Sequence, residues 1–226
     1  MNRVFADRTE AGQRLARALH AYAGRADLLV LALPRGGVPV GWEVARAIGA
    51  PLDLMLVRKL GVPGQEELAM GAIASGGVQV LNADLVASLG IDPQVIAASA
   101  AREQRELARR ELAYRGARPP PTIAGCCVIL VDDGLATGAT MRAAVAALRQ
   151  RQPAHIVVAV PVAPPDTVAR LRAEADEVIC LETPTAFFAI GPWYREFPQL
   201  TDDEVRELLA AAWRDSDAGD DGRSTS

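Results

Sequence analysis

Residues 128–140 read Val-Ile-Leu-Val-Asp-Asp-Gly-Leu-Ala-Thr-Gly-Ala-Thr, and that order dictates a chemistry. Four aliphatic residues suit a strand buried on both faces, so Asp132 and Asp133 arrive together at its carboxyl end. The small-residue stretch Ala136-Thr137-Gly138-Ala139-Thr140 then rises into a helix. A helix N-terminus offers free backbone N–H groups; with the Thr137 and Thr140 hydroxyls they make a cradle for a phosphate dianion. Gly138 lets the backbone approach that phosphate closely. Carboxylates cannot hold phosphate, so Asp132 and Asp133 need another target, either vicinal hydroxyls or a hydrated metal ion. A ribose 5-phosphate offers hydroxyls and phosphate at a matching separation. Two other readings compete: an acidic strand end before a capped helix, and a Walker B strand. The latter requires a GxxxxGK[ST] loop, which the chain lacks. An aspartate-nucleophile hydrolase requires a different order of Asp, Gly and Thr.

Two further strand ends carry unusual residues. Leu33-Pro34-Arg35-Gly36-Gly37 follows an apolar run; the Arg35 guanidinium is a planar fork suited to phosphate oxygens, and Gly36 and Gly37 permit an unusual turn, although a plain tight turn fits as well. Val57-Arg58-Lys59-Leu60-Gly61 comes next. Lys59 is the single lysine among 24 basic residues, which invites a chemical reason for its survival, against the alternative of a solvated basic pair. Glu66 and Glu67 are candidates to touch an acceptor or metal.

The elements that position these residues follow from periodicity. Asp7 and Glu10 have capping-box spacing, and a helix is expected over Arg8–Tyr22. Leu28–Leu33, Leu52–Val57, Cys126–Val131, His155–Val162 and Val178–Leu181 read as buried strands. Helices are expected from Pro39 to Gly49, after Thr140, over Asp166–Ala175 and from Thr201 to about Trp213. Strands alternating with helices define an α/β fold with a parallel five-stranded core sheet flanked by helices. Residues 58–67 are expected to be a mobile loop, with a short hairpin around Ser75-Gly76-Gly77. A long helix from Asp92-Pro93 should place Ala97, Ala101, Ala108 and Leu112 on its apolar stripe and its many arginines, with Glu103, on a solvated side. The expected organisation is one domain over 1–214, with an excursion at 75–121, an aromatic segment at 182–200 and a disordered tail at 215–226.

Bulk composition narrows the partners. A net charge of −4 argues against nucleic acid, which demands a basic face. Cys126, Cys127 and Cys180 sit in apolar runs without metal-ligand spacing. The N-terminus is polar and no apolar run reaches the roughly 18 residues of a membrane helix, so no membrane partner and a cytoplasmic location are expected.

The contiguous run at 128–140 resembles the phosphoribosyl diphosphate motif of type I phosphoribosyltransferases: four hydrophobic residues, two acids, two variable residues and Thr-Gly-x-Thr. The whole chain is similar to a bacterial group of that family in which the acceptor is unassigned. The resemblance implies the type I phosphoribosyltransferase fold, with Mg²⁺ as cofactor and phosphoribosyl diphosphate plus a small nitrogenous base as substrates. It implies a phosphate site at Ala136–Thr140, ribose hydroxyls or Mg²⁺ on Asp132 and Asp133, and diphosphate on Arg35, Gly36 and Gly37. Lys59, assisted by Arg58, would lie on a catalytic loop that closes over the leaving group. The segment Pro184–Pro198 is similar to the hood of purine enzymes, with Phe187, Phe188, Trp193 and Tyr194 as candidates to stack on the acceptor. It departs from the hypoxanthine-type pattern, because Trp193 stands where an Asp precedes the hood tyrosine and Leu181-Glu182 where a Lys follows the fifth strand. A homodimer is compatible with this reading, and the long helix would either cap the site or serve that dimer. A non-enzymatic sensor of phosphoribosyl diphosphate, or a hydrolase of a phosphorylated sugar or nucleotide, would use the same cradle.

Overall fold

The computed structural model describes residues 5–62 and 64–221. Five short, aliphatic strands form one all-parallel sheet: β1 (Leu28–Ala32), β2 (Leu52–Leu54), β6 (Cys127–Val131), β7 (His155–Val162) and β8 (Glu177–Glu182), in the order β2-β1-β6-β7-β8. This is the type I phosphoribosyltransferase fold. The strands are apolar on both faces because helices cover both. Alternate residues divide cleanly between two cores. Val30, Ala32, Ile129 and Val131 pack beneath α1 (Arg8–Ala18), α2 (Gly37–Ile48) and α7 (Asp202–Asp221). Leu29, Leu31, Val128 and Leu130 pack on α5 (Ala139–Gln150) and α6 (Pro165–Arg172).

β1 and β6 are neighbours, and their connections leave in opposite directions, to β2 and to β7. Such a switch point opens a crevice beyond the carboxyl ends of the strands. Residues 33–37 and 132–138 end there.

The segment between β2 and β6 departs from expectation. Where a mobile loop was expected, residues 57–62 and 65–74 form the two strands of a β-hairpin. β3 (Val57–Val62) pairs antiparallel with β4 (Gln65–Ala74), with register irregularities around Gly61, and β5 (Val78–Leu81) completes a separate three-stranded sheet. Leu60, Met70 and Ile73 anchor it in the core. A short helix α3 (Ala83–Leu89), capped by Asn82, precedes α4 (Pro93–Arg115), whose N-cap is Asp92. The excursion therefore begins at Val57 rather than 75.

The expected stripe of α4 is corrected as well. Ile96, Ala100, Glu103, Leu107 and Tyr114 are buried, whereas Ala97, Ala101 and Ala108 are exposed and Leu112 is 67% exposed. At the other end, α7 runs to Asp221, past the limit near Trp213 read from sequence; of the expected tail, residues 222–226 lie outside the described residues. No helix among the described residues is long and apolar enough to cross a membrane.

Candidate active site

The carboxyl end of β6 delivers Asp132 and Asp133 side by side, as its four aliphatics require, but the two acids have different surroundings. Asp132 is partly buried, and its Oδ1 accepts from the Asp133 N–H at 2.8 Å. Asp133 is turned inward. Arg8 Nε donates to its Oδ2 at 2.8 Å, with both side chains 10% exposed. Burial, and after it the neighbouring Asp133 charge, pushes the Asp132 carboxyl well above the usual carboxylate range. Burial also raises Asp133, against the opposing pull of Arg8. Of the two acids expected to face ribose hydroxyls, Asp133 is held by Arg8, whereas Asp132 is the more accessible.

Arg8 was invisible to sequence reasoning. Its Nη1 also donates to the Pro198 carbonyl at 2.8 Å, and its guanidinium lies 3.8 Å from the centroid of the Phe197 ring. Thr167 was missed too. Its hydroxyl donates to the Ala136 carbonyl at 2.8 Å and, with Leu135 N–H donating to Val162 O at 2.9 Å, fixes the turn before α5. Gly138 occupies the left-handed region at φ +71°, and a Cβ there would come within 2.6 Å of Thr167. The turn leaves Ala136, Thr137, Ala139 and Thr140 exposed at the opening of α5, where first-turn N–H groups lack intrahelical partners. These are the residues expected to form a phosphate cradle.

The loop after β1 is pressed onto the acid pair, and this explains both glycines. A Cβ on Gly36 would stand 2.0 Å from Asp133 Oδ2, and one on Gly37 would stand 2.6 Å from the Val131 carbonyl. The Pro34–Arg35 peptide is cis, and Arg35 is exposed at the mouth. A cavity of about 260 Å³ opens beside it, lined by Arg35, Met55, Arg58, Tyr114 and Thr140 among others.

Arg58 and Lys59 point to opposite faces of β3. Arg58 lines the cavity and donates through Nε and Nη2 to Glu103 Oε2 at 2.9 and 2.6 Å, so α4 already holds it. Lys59 is exposed on the hairpin and is not among the residues lining the cavity. The side chains of Glu66 and Glu67 lie outside the described residues.

In the hood, Phe187 and Trp193 stack on each other with centroids 6.3 Å apart, and Phe188 stands 87% exposed. Tyr194 does not fit the stacking expectation. It is 1% exposed, packs against Phe5 and Phe197, and donates its hydroxyl to the Asp133 carbonyl at 2.5 Å. Its ring is therefore closed to an acceptor, and its hydroxyl braces the acid turn.

A parallel α/β sheet that carries an acid pair and a small-residue helix opening at its switch point defines a class of α/β protein with its candidate ligand site at the strand ends. The chain belongs to the phosphoribosyl transferase domain family, whose model matches residues 6–196. A protein provisionally named a phosphoribosyl transferase in two strains of Mycobacterium tuberculosis, CDC 1551 / Oshkosh and H37Rv, is 48% identical over 213 residues. That match takes in 94% of this chain and 48% of the relative, so the chain spans about half the length of these curated relatives. The crystal structure of TT1426 from Thermus thermophilus is 45% identical, with a TM-score of 0.83, covering 92% of this chain and 98% of that one.

Proposed function

We propose that the chain is a type I phosphoribosyltransferase, moving the phosphoribosyl group of phosphoribosyl diphosphate to a nitrogenous base with release of diphosphate. The observation that carries the reading is the β6–α5 junction, where Asp132 stands beside a braced turn with exposed Thr137 and Thr140 at the helix opening. The 5-phosphate would sit on Ala136–Thr140 and Asp132 would accept from a ribose hydroxyl. Arg35, Gly36 and Gly37 would face the diphosphate, with Arg58 on the cavity wall beside Arg35. In the transfer, the bond from the anomeric carbon to the diphosphate oxygen breaks with its electrons leaving on diphosphate. A nitrogen lone pair of the base then forms the new bond. Phe188, with the Phe187–Trp193 pair behind it, offers the exposed aromatic surface for that base.

Mg²⁺ fits the donor set in one manner. Among the described residues no group of three or more His, Cys, Asp or Glu can hold a metal, and Mg²⁺ usually combines one or two carboxylates with substrate phosphates. Asp132, directly or through water, would hold it together with substrate oxygens; when bound, the ion offsets leaving-group charge.

Calorimetric titration of phosphoribosyl diphosphate with Mg²⁺ tests the reading. Wild type should bind and Asp132→Asn should lose at least about tenfold in affinity. Screening bases for diphosphate release should then reveal turnover. A folded wild type that binds nothing would sink the assignment, and binding without turnover on any base would favour a sensor.

A further inference from the structure

The hairpin and α4, inserted between β2 and β6, do more than fill a gap in the chain. α4 passes over the cavity at the ends of β1 and β2 and presents Arg109 and Arg110 to it, alongside Arg35 and Arg58. Asp202 is the only acid among the described residues lining that cavity. At about 260 Å³ it has room for roughly nine waters at ~30 Å³ each, enough for a small polyanion and some hydration.

Arg58 is held by the buried Glu103, and the other three guanidiniums meet carboxylates nearer solvent. Arg109 donates through Nε and Nη2 to the two oxygens of Glu106 at 2.9 and 3.0 Å, and Arg110 Nε shares the same carboxylate at 2.9 Å. Asp202 accepts from the Tyr114 hydroxyl at 2.7 Å and lies 4.0 Å from Arg35 Nη1. These pairs are exposed on at least one side, and such pairs are weakly held in water. A multiply charged anion entering the cavity can displace them and take up the planar forks two bonds at a time.

Position selects the anion. β2 is one edge of the sheet, with β1 beside it, whereas the hood follows β8 at the other edge. A ligand whose 5-phosphate rests at Thr140 directs into this cavity the end that lies away from the hood. We propose that Arg109 and Arg110 bind the leaving diphosphate, so that α4 is a built-in cationic cover for the leaving group. This assignment rests on the phosphoribosyltransferase reading and extends the diphosphate site beyond the strand ends.

The test is titration of inorganic diphosphate and, separately, ribose 5-phosphate into wild type, Arg109→Ala/Arg110→Ala and Arg109→Lys/Arg110→Lys. The expected result is at least about a tenfold loss of diphosphate affinity in the alanine variant, partial recovery with lysine and unchanged ribose 5-phosphate affinity. Unchanged diphosphate binding in the alanine variant would overturn the assignment while leaving the enzyme reading intact. Parallel loss of both ligands would also overturn it, since α4 would then be acting on the fold. Wild type that binds neither ligand would remove the underlying reading and this inference with it.

Discussion

Removing the Arg8 guanidinium would strand the Asp133 carboxylate in a buried setting without its partner. Breaking one side of a buried ion pair generally costs about 3–5 kcal/mol, so Arg8→Met should lower the unfolding free energy from urea titration by that amount. The double variant Arg8→Met/Asp133→Asn should recover part of the loss, because no buried charge is left unpaired. At this scale the sequence was informative where partners are adjacent. Asp132, Asp133 and Gly138 sit in one run, so their joint placement follows from strand and helix geometry alone. Arg8 lies 125 positions from Asp133, and nothing local to an N-terminal helix marks that pairing. Tyr194 was misread for a related reason. An aromatic residue in a loop does not disclose whether its face or its hydroxyl is used, and burial beside Phe5 decides for the hydroxyl.

Among the elements, the excursion was the least legible. Gly61, Pro63 and Gly64 lend residues 58–67 a loop-like composition, yet antiparallel pairing with the next strand, β4, satisfies the backbone of β3. In α4, alanines recur at helical intervals on several faces, so periodicity could not choose the buried one. The deciding contact is Glu103 with Arg58, an ion pair joining helix to hairpin. Burial alone would raise the Glu103 pKa, but the hydrogen bonds from Arg58 and Arg102 outweigh it and the net shift is downward. A lowered folded pKa means that the contribution to stability is present above the unfolded value of about 4.3. It is lost as pH falls through the lowered folded value. Urea midpoints of wild type and Glu103→Gln should therefore differ by a constant amount near neutral pH and converge in acid. A gap that persists at low pH would show that the glutamate charge is not what joins helix to hairpin.

For the molecule as a whole, the five-stranded α/β architecture was legible because buried parallel strands are short, aliphatic and spaced by helices. The role of α7 was not, since it depends on docking across the sheet edge. Val205, Leu209 and Ala212 enter the core, and Trp213 Nε1 donates to the Leu52 carbonyl at 3.0 Å. Leu209 is fully buried, and Leu209→Ala should destabilise the protein by about 2–5 kcal/mol in thermal or urea unfolding. The hood is built in two unlike halves. Tyr194, Phe197 and Pro198 are locked to Asp133 and Arg8, whereas Phe188 stands 87% exposed and Phe187 and Trp193, stacked on each other, only partly pack against the cluster of Phe5 and Tyr194. Changes in the first half should loosen the turn that carries Asp132 and Asp133, whereas Phe188 can change without touching it. Under the proposed function, position 188 is where the acceptor surface can vary most freely, with the contacts among Asp133, Arg8 and Tyr194 left in place.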